Sequence, residues 1–130
     1  MTYFENGDLA QLVEFLARRD FPALEECRIK VFACKKEKKS RGMQVYADTE
    51  KLSDKLSALT GIDFIITFYD GWAELSKKAL EILCIHELHH VGFRVKSDGT
   101  VEKKIIPHDV QDFFSVIEAF GLDWICAEDE

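Results

Sequence analysis

The chain has 130 residues, of which 47% are hydrophobic, and carries a formal net charge of −7 at pH 7. This length and apolar content predict one globular domain over residues 1–130, with a core of its own. The acidic balance argues against nucleic-acid binding and against attachment to an anionic membrane, and no apolar run is long enough to span a bilayer.

The cysteines and the first residues of the chain indicate the cellular compartment in which the protein is expected. None of the four cysteines belongs to a Cys-x-x-Cys pair, so neither a zinc ribbon nor a disulfide framework is indicated. The first residues, MTYFENGDLAQ, include acidic side chains and no basic segment, so they do not predict a secretory signal. We therefore expect a reduced, intracellular protein located in the cytoplasm. The cysteines are Cys27, Cys34, Cys84 and Cys126.

The first third of the chain predicts a helix, a strand and a basic turn. Helical spacing of apolar residues predicts a helix over residues 8–19, capped by Asp8, and a short helical turn over residues 23–27. Alternation with β-branched residues predicts a strand over residues 28–34. Five of the eight residues in 35–42 are basic. We interpret them as a solvated hairpin tip, the alternative being a patch for an acidic partner.

The middle of the chain predicts a short strand, a helix and a central strand. Residues 43–47 form the short strand, and Asp48 is the predicted cap of a helix that ends at Gly61. The run over residues 62–69 is rich in β-branched and aromatic residues and is almost continuously apolar, which indicates a central position in the sheet. The predicted helix has one apolar face, formed by Leu52, Leu56 and Leu59.

The last third predicts a hairpin and a final helix. Asp-Gly at 98–99 lies between two alternating runs, which predicts a hairpin over residues 93–106. Asp109 is the predicted cap of a last helix that ends at Gly121, and the acidic tail over residues 127–130 is expected to fray. Together these elements predict an α+β domain, with a small, mostly antiparallel sheet packed against helices.

One motif carries chemistry, the His-Glu-x-x-His formed by His86, Glu87 and His90. Positions i and i+4 share one face of a helix, so both imidazoles can reach one metal ion while Glu87 reaches a water beside it. We predict a continuous helix from Trp72 that carries the motif and ends with Gly92 as the residue after its cap.

Each histidine can also be explained without a metal, since inward-facing histidines are often hydrogen-bonded core residues. A projection of 100° per residue places His86 and His90 away from the polar stripe of the helix, which favours a shared inward site. The same projection places His89 on the polar stripe, as a solvated side chain. Cys84 projects far from His86 and is expected to pack as a small hydrophobe.

A catalytic zinc ion usually has three protein ligands, and the third must come from elsewhere in the chain. Lys96 occupies the position that an astacin-like pattern would give to the third ligand, which excludes that arrangement. Glu102 lies in the predicted hairpin, and Glu118 lies on the polar side of the last helix. His108 is the better candidate because the chain returns there from the hairpin. Asp109 is the alternative, as a ligand or as a partner for an imidazole N–H.

Several segments resemble the putative phage metallopeptidase family. They are residues 59–64 (LTGIDF), Trp72, residues 86–92 (HELHHVG), residues 107–113 (PHDVQDF) and residues 121–124 (GLDW). Members of that family carry a His-Glu-Leu-x-His helix, a hairpin, and a His-Asp pair before a helix that ends in a Gly-Leu-Trp-like turn. The resemblance covers about the last two-thirds of the chain, and SprT-like zinc peptidases are similar more distantly.

The resemblance implies a minimal zincin-like fold in which zinc (Zn²⁺) is held by His86, His90 and His108, with Glu87 as the general base. The expected function is that of a zinc metallopeptidase, which hydrolyses peptide bonds with a zinc-activated water. The expected partner is a protein or peptide substrate, with no nucleic acid and no membrane. If the chain is encoded by a phage, it is expected in the cytoplasm of the host cell.

Two other functions fit the same residues. The site could stabilise an intracellular binding or inhibitor module without catalysis, or it could hydrolyse an amide other than a peptide bond. Imidazole ligands also suit divalent ions other than zinc. The group that would stabilise an oxyanion is unassigned, with Tyr69, His89 and Arg94 as weak candidates. An extended substrate would lie along an edge strand of the sheet, in a cleft shaped by the hairpin over residues 93–106.

Overall fold

The computed structural model describes residues 2–107. Three helices and eight strands occur in these residues, together with two turns of 3₁₀ helix at Pro22–Glu26 and Trp72–Glu74. The predictions for His108, Asp109, Glu118, Gly121, Cys126 and the acidic tail lie outside the described residues. The elements are β1 (Tyr3–Phe4), α1 (Gly7–Asp20), β2 (Ile29–Cys34), β3 (Lys38–Ser40), β4 (Met43–Val45), β5 (Ala47–Lys51), α2 (Asp54–Thr60), β6 (Phe64–Phe68), α3 (Lys77–His89), β7 (Val91–Val95) and β8 (Val101–Ile105).

A four-stranded sheet with the order β1-β2-β6-β5 is the centre of the fold. Strands β2 and β6 are parallel, with Ile29 opposite Phe64, whereas β1 and β5 pair antiparallel with their neighbours. Phe64, Ile66 and Phe68 of β6 are fully buried. The α+β class and the central position of β6 are therefore confirmed.

Helices α1 and α3 contact each other and pack on the sheet, α1 against β2 and α3 against β5. Leu9, Val13 and Leu16 of α1 are buried, as the helical spacing predicted. Two small hairpins, β3–β4 and β7–β8, complete the described fold. The first lies where a hairpin tip was predicted, but strand β3 forms within that basic segment and pairs with β4, whereas β2 pairs with β1 and β6. The second agrees with the prediction from Asp98-Gly99. Within residues 2–107, no helix combines the length and the apolar character needed to cross a membrane.

The predicted starts of α1 and α2 are wrong, because a different side chain caps each helix. The cap of α1 is Asn6, not Asp8, since the Asn6 side chain accepts a hydrogen bond from the backbone N–H of Leu9. The helix α2 begins after Ser53, whose hydroxyl accepts from the backbone N–H of Leu56. It ends, as predicted, at Gly61, which has a left-handed backbone with a φ of 76°.

Asp48, the predicted cap of α2, instead lies in strand β5 opposite Thr67 of β6. Its carboxylate forms an ion pair with Lys38 and accepts a hydrogen bond of 2.9 Å from the Tyr69 hydroxyl. These cross-strand partners hold Asp48 in an extended segment. The predicted apolar face of the helix is not buried among the described residues, since Leu56 and Leu59 are both exposed.

The helix that carries the motif is shorter than predicted at both ends. Trp72 begins a separate 3₁₀ turn, and α3 starts only after Ser76, whose side chain caps it. At the other end His90 is the last residue with helical dihedrals, and Gly92 lies within β7 instead of terminating the helix. The reason is the pairing of β7 with β8, which brings the chain into an extended conformation from Val91 onward.

Candidate metal centre

The motif lies at the junction between α3 and β7, and the junction preserves its helical geometry. His86 and Glu87 belong to the last turns of α3, and His90 is the residue that caps it. The backbone of His90 has a φ of −74° and a ψ of −21°, which are helical values. The two imidazoles therefore keep the i, i+4 relation even though the helix ends before the second of them.

The three side chains of the motif form a compact, mostly buried cluster. His86 is 7% exposed and Glu87 is 3% exposed, while His90 is half-buried. One potential ligand atom of each residue lies within 4.8 Å of the other two. The imidazole rings of His86 and His90 have centroids 5.2 Å apart, and Nε2 of His86 lies 4.0 Å from Oε2 of Glu87. The predicted inward orientation of both histidines agrees with this arrangement.

The ring of His90 is oriented by the strand that returns from the second hairpin. Its Nδ1 lies 2.7 Å from the backbone oxygen of Ile106, and the backbone N–H of Ile106 donates to the His90 oxygen at 2.8 Å. A carbonyl oxygen can only accept, so Nδ1 carries the proton in this contact. In the neutral imidazole the lone pair is then on Nε2, which is the tautomer that a metal ligand requires.

Gly92 makes room for the side chain of Ile106, the residue whose backbone oxygen contacts His90. A Cβ atom at position 92 would lie 2.6 Å from Cδ1 and 2.8 Å from Cγ1 of Ile106, far inside normal contact distance. The sequence reasoning assigned Gly92 to the end of the helix. Its observed role is to let the Ile106 side chain lie over β7, close to the backbone that holds the His90 ring.

Glu87 has a partner on the sheet that sequence reasoning missed. The hydroxyl of Thr49, in β5, donates to Oε1 of Glu87 at 2.8 Å. Thr49 and Glu87 are 38 positions apart in the chain. Thr49 also falls in the segment that was predicted to start a helix, so no local sequence signal indicated the contact.

The remaining residues that sequence reasoning considered are not members of the described cluster. His89 is half-buried and packs edge-on against the ring of Phe21, with centroids 4.9 Å apart, so it is not the solvated side chain that was expected. Cys84 is fully buried in the core, as predicted. Burial raises the pKa of its thiol to about 12, which keeps the thiol protonated at neutral pH.

The residues of the second hairpin and Tyr69 are engaged elsewhere. Arg94 and Lys96 lie 3.1 Å and 3.3 Å from the Glu102 carboxylate, so Glu102 is an exposed ion-pair partner outside the cluster. The Tyr69 hydroxyl donates to Asp48. Burial and the neighbouring Asp48 carboxylate raise the pKa of Tyr69 above its ordinary value. Neither Arg94 nor Tyr69 belongs to the candidate metal centre.

The side chains present fit a divalent metal ion. Two imidazoles and a carboxylate converge within 4.8 Å, and one imidazole is held in the tautomer that leaves Nε2 with its lone pair. The chain thus combines an α+β fold with a His-Glu-x-x-His cluster at the end of a core helix. This combination is typical of metalloproteins that bind an ion through the two histidines of the motif.

A comparison with models of protein families then matches residues 1–128 to the family described as "Putative phage metallopeptidase", so the chain belongs to that family. The match confirms the resemblance found in the sequence and extends it to nearly the whole chain. The family description implies a metal ion and peptidase chemistry. Searches of curated proteins and of solved structures returned no significant match.

Proposed function

We propose that this chain is a zinc-dependent metallopeptidase in which His86, His90 and His108 hold the ion and Glu87 is the general base. The observation that carries the proposal is the cluster itself. Two imidazoles and a carboxylate meet at the junction of α3 and β7 in a chain that belongs to a metallopeptidase family. Two histidines and a glutamate in this spacing are the ligands and the general base of a zinc hydrolase.

Zinc is the proposed ion, because imidazole nitrogen is among its preferred ligands and zinc is the usual ion of His-Glu-x-x-His peptidases. A zinc ion at this site would act as a Lewis acid that polarises the scissile carbonyl and lowers the pKa of water. The chain's contribution is to orient the ligands. The carbonyl of Ile106 keeps the proton of His90 on Nδ1, and α3 holds His86 one turn before it.

Glu87 performs the proton transfer in this proposal. Its Oε2 lies 4.0 Å from Nε2 of His86, so the carboxylate borders the space between the imidazoles. It accepts the proton of the attacking water and passes it to the leaving amine nitrogen. The burial of Glu87 strengthens its interactions with neighbouring charges and dipoles.

His108 as the third ligand is supported by the path of the chain. Ile106 is in hydrogen-bond contact with His90 through both of its backbone groups, and His108 follows two residues later. The contact supports His108 over Glu102, whose carboxylate is paired with Arg94 and Lys96.

A protein or peptide is the proposed substrate. Strand β5 lies at one edge of the sheet and contacts α3 beside Glu87. An extended peptide can pair with such an edge through its main chain. The β7–β8 hairpin also contacts β5 and would form one wall of the cleft.

The first experiment measures the metal content of the purified protein, beside a His86→Ala variant and a His89→Ala control. We expect about one zinc ion per chain in the wild type, loss of the ion in His86→Ala, and retention in His89→Ala, which removes a neighbouring imidazole outside the cluster. Absence of metal from all three proteins, even after zinc is supplied, would contradict the site.

The second experiment measures cleavage of fluorescein-labelled casein by the wild type and by Glu87→Gln. We expect cleavage by the wild type and none above background by the variant, with zinc retained in both. Zinc binding without cleavage of casein or of a peptide library would contradict the peptidase and favour a zinc-stabilised binding module.

A further inference from the structure

Thr49 of β5 lies beside the general base without belonging to the motif. We propose that Thr49 is a positioning residue, which holds one carboxylate oxygen of Glu87 so that the other faces the two imidazoles. This inference rests on the proposed function, because it concerns the orientation of the proposed base. It adds a residue from the edge of the sheet to a site that otherwise belongs to α3 and the second hairpin.

The sheet holds Thr49 rigidly. Its backbone pairs with Ile66 of β6, which is fully buried in the core. A β-branched side chain has few accessible rotamers, so the hydroxyl direction follows from the backbone. The Glu87 side chain has three rotatable bonds of its own, and a fixed donor on the neighbouring strand reduces that freedom.

The hydroxyl of Thr49 has one proton to give and two acceptors within reach. Oε1 of Glu87 is 2.8 Å away, and the Glu87 backbone oxygen is 3.3 Å away. The shorter distance and the stronger hydrogen bonding of an ionised acceptor both favour the carboxylate. A buried carboxylate also needs such a donor, because its burial is costly unless it is hydrogen-bonded.

The two oxygens of Glu87 therefore have separate tasks. Oε1 is occupied by Thr49, and Oε2 is the oxygen that lies 4.0 Å from Nε2 of His86. A carboxylate tethered through one oxygen presents the other to the reacting water and is restrained from binding the ion with both. Thr49 thus helps to keep Glu87 a base instead of an additional ligand.

The test compares Thr49→Val, which removes the hydroxyl and keeps the β-branched shape, with Thr49→Ser, which keeps the hydroxyl. With fluorescein-labelled casein we expect Thr49→Val to lower kcat roughly ten- to a hundredfold with little change in KM, since misplacing a reacting group has effects of this size. Thr49→Ser should restore most of kcat. A strand defect alone would not be repaired by serine, which has the lower β propensity.

A second measurement does not depend on catalysis. The wild type and both variants are loaded with Co²⁺ in place of zinc, and their visible absorption spectra are recorded, because these bands respond to the coordination of the ion. We expect superimposable spectra for the wild type and Thr49→Ser, and an altered spectrum for Thr49→Val, whose freed carboxylate gains access to the ion.

The outcomes separate this inference from the proposed function. Spectra and kcat of Thr49→Val that both match the wild type would overturn the role of Thr49 and leave the peptidase intact. Failure of the wild type to bind Co²⁺ or zinc would overturn the metal centre, and the inference with it. Co²⁺ binding without casein cleavage would contradict the peptidase, and the spectra alone would then decide whether Thr49 orients Glu87.

Discussion

Two buried carboxylates, Asp63 and Glu87, lie in very different surroundings. Asp63 is 4% exposed and faces a full set of donors: the guanidinium of Arg28 at 3.2 Å, the Ser57 hydroxyl at 2.6 Å and the backbone N–H of Arg28 at 3.0 Å. The ammonium group of Lys103 lies 4.0 Å away. These groups tie α2, the start of β2 and the start of β6 together at one end of the sheet.

Glu87 is equally buried, but its described surroundings are of another kind. It accepts from the Thr49 hydroxyl and lies beside imidazoles that can bind a metal ion. Burial of a charge is tolerated where the charge is paired or coordinates a metal. Asp63 therefore has its counter-charge within the chain, in Arg28 and Lys103, whereas Glu87 lies in a cluster where a divalent cation would supply one.

The largest effect expected from this comparison concerns catalysis. Glu87→Gln should lower kcat for casein cleavage by about 10² to 10⁴-fold, because the amide cannot accept the proton of the attacking water. Asp63→Asn, assayed at a temperature where it stays folded, should keep kcat close to that of the wild type. Equal losses of kcat in the two variants would abolish the distinction between the carboxylates.

The next effect concerns zinc affinity and the orientation of the His90 ring. Gly92→Ala forces Ile106 away from β7 and so weakens the contact that orients His90. Zinc affinity should fall about ten- to a hundredfold, as is typical when a partner of a ligand is lost. Competition with a zinc chelator measures the zinc affinity of each protein.

Gly7→Ala is the matched control for that experiment, since a Cβ at position 7 meets nothing within 4 Å. Its zinc affinity should equal that of the wild type. Retention of full affinity in Gly92→Ala would show that the Ile106 contact does not orient His90.

Stability should respond to Asp63 more than to an exposed carboxylate. Asp63→Asn should lower the free energy of unfolding by roughly 2 to 3 kcal/mol, since charged hydrogen bonds to Arg28 are lost while buried donors remain. Urea denaturation measures it. The control is Asp70→Asn, whose exposed side chain follows the same strand β6. A similar loss in both variants would indicate that Asp63 has no special structural role.

The smallest expected effect is a decrease, at low pH, in the contribution of Asp63 to the free energy of unfolding. Hydrogen bonds from Arg28 and Ser57 outweigh burial and lower the pKa of Asp63 from 3.8 to about 2. A lowered pKa in the folded state means that the stabilisation is present above the unfolded-state pKa and is lost as pH falls through the folded-state pKa. The difference corresponds to about 2 kcal/mol at about 1.36 kcal/mol per pKa unit.

The wild type should therefore lose its advantage over Asp63→Asn in unfolding free energy between about pH 5 and pH 2. Urea denaturation of both proteins across this range provides the measurement. An advantage that does not change with pH would mean that Asp63 titrates normally in the folded protein.

Local patterns predicted the elements whose signal lies within their own residues. The i, i+4 spacing of His86 and His90 is a property of any helical backbone, and it survived even though the helix ends at His89. Strand β6 was predictable because its nearly continuous apolar run has no stable place except the core. The Asp98-Gly99 hairpin was predictable because its turn chemistry is local.

The predictions that were wrong concern residues whose local helical preference is overridden by a partner distant in sequence. Asp48 is a good helix cap in isolation, yet Lys38, Thr67 and Tyr69 hold it in β5. Gly92 looks like a helix terminator, yet the pairing of β7 with β8 places it in a strand. Strand pairing satisfies many backbone groups at once, so it outweighs a single cap.

The sequence by itself determined which groups come together in the motif: two imidazoles that share one helical face, a carboxylate next to the first of them, and His108 as the predicted third ligand. Only the tertiary structure decided how these groups are oriented. Thr49 reaches Glu87 across 38 positions and the Ile106 carbonyl reaches His90 across 16, so neither contact has a period or a motif that a sequence could display. The pairing of His86 with His90 follows from their spacing along one helix, whereas the orientation of these side chains depends on elements brought together by burial of the common core.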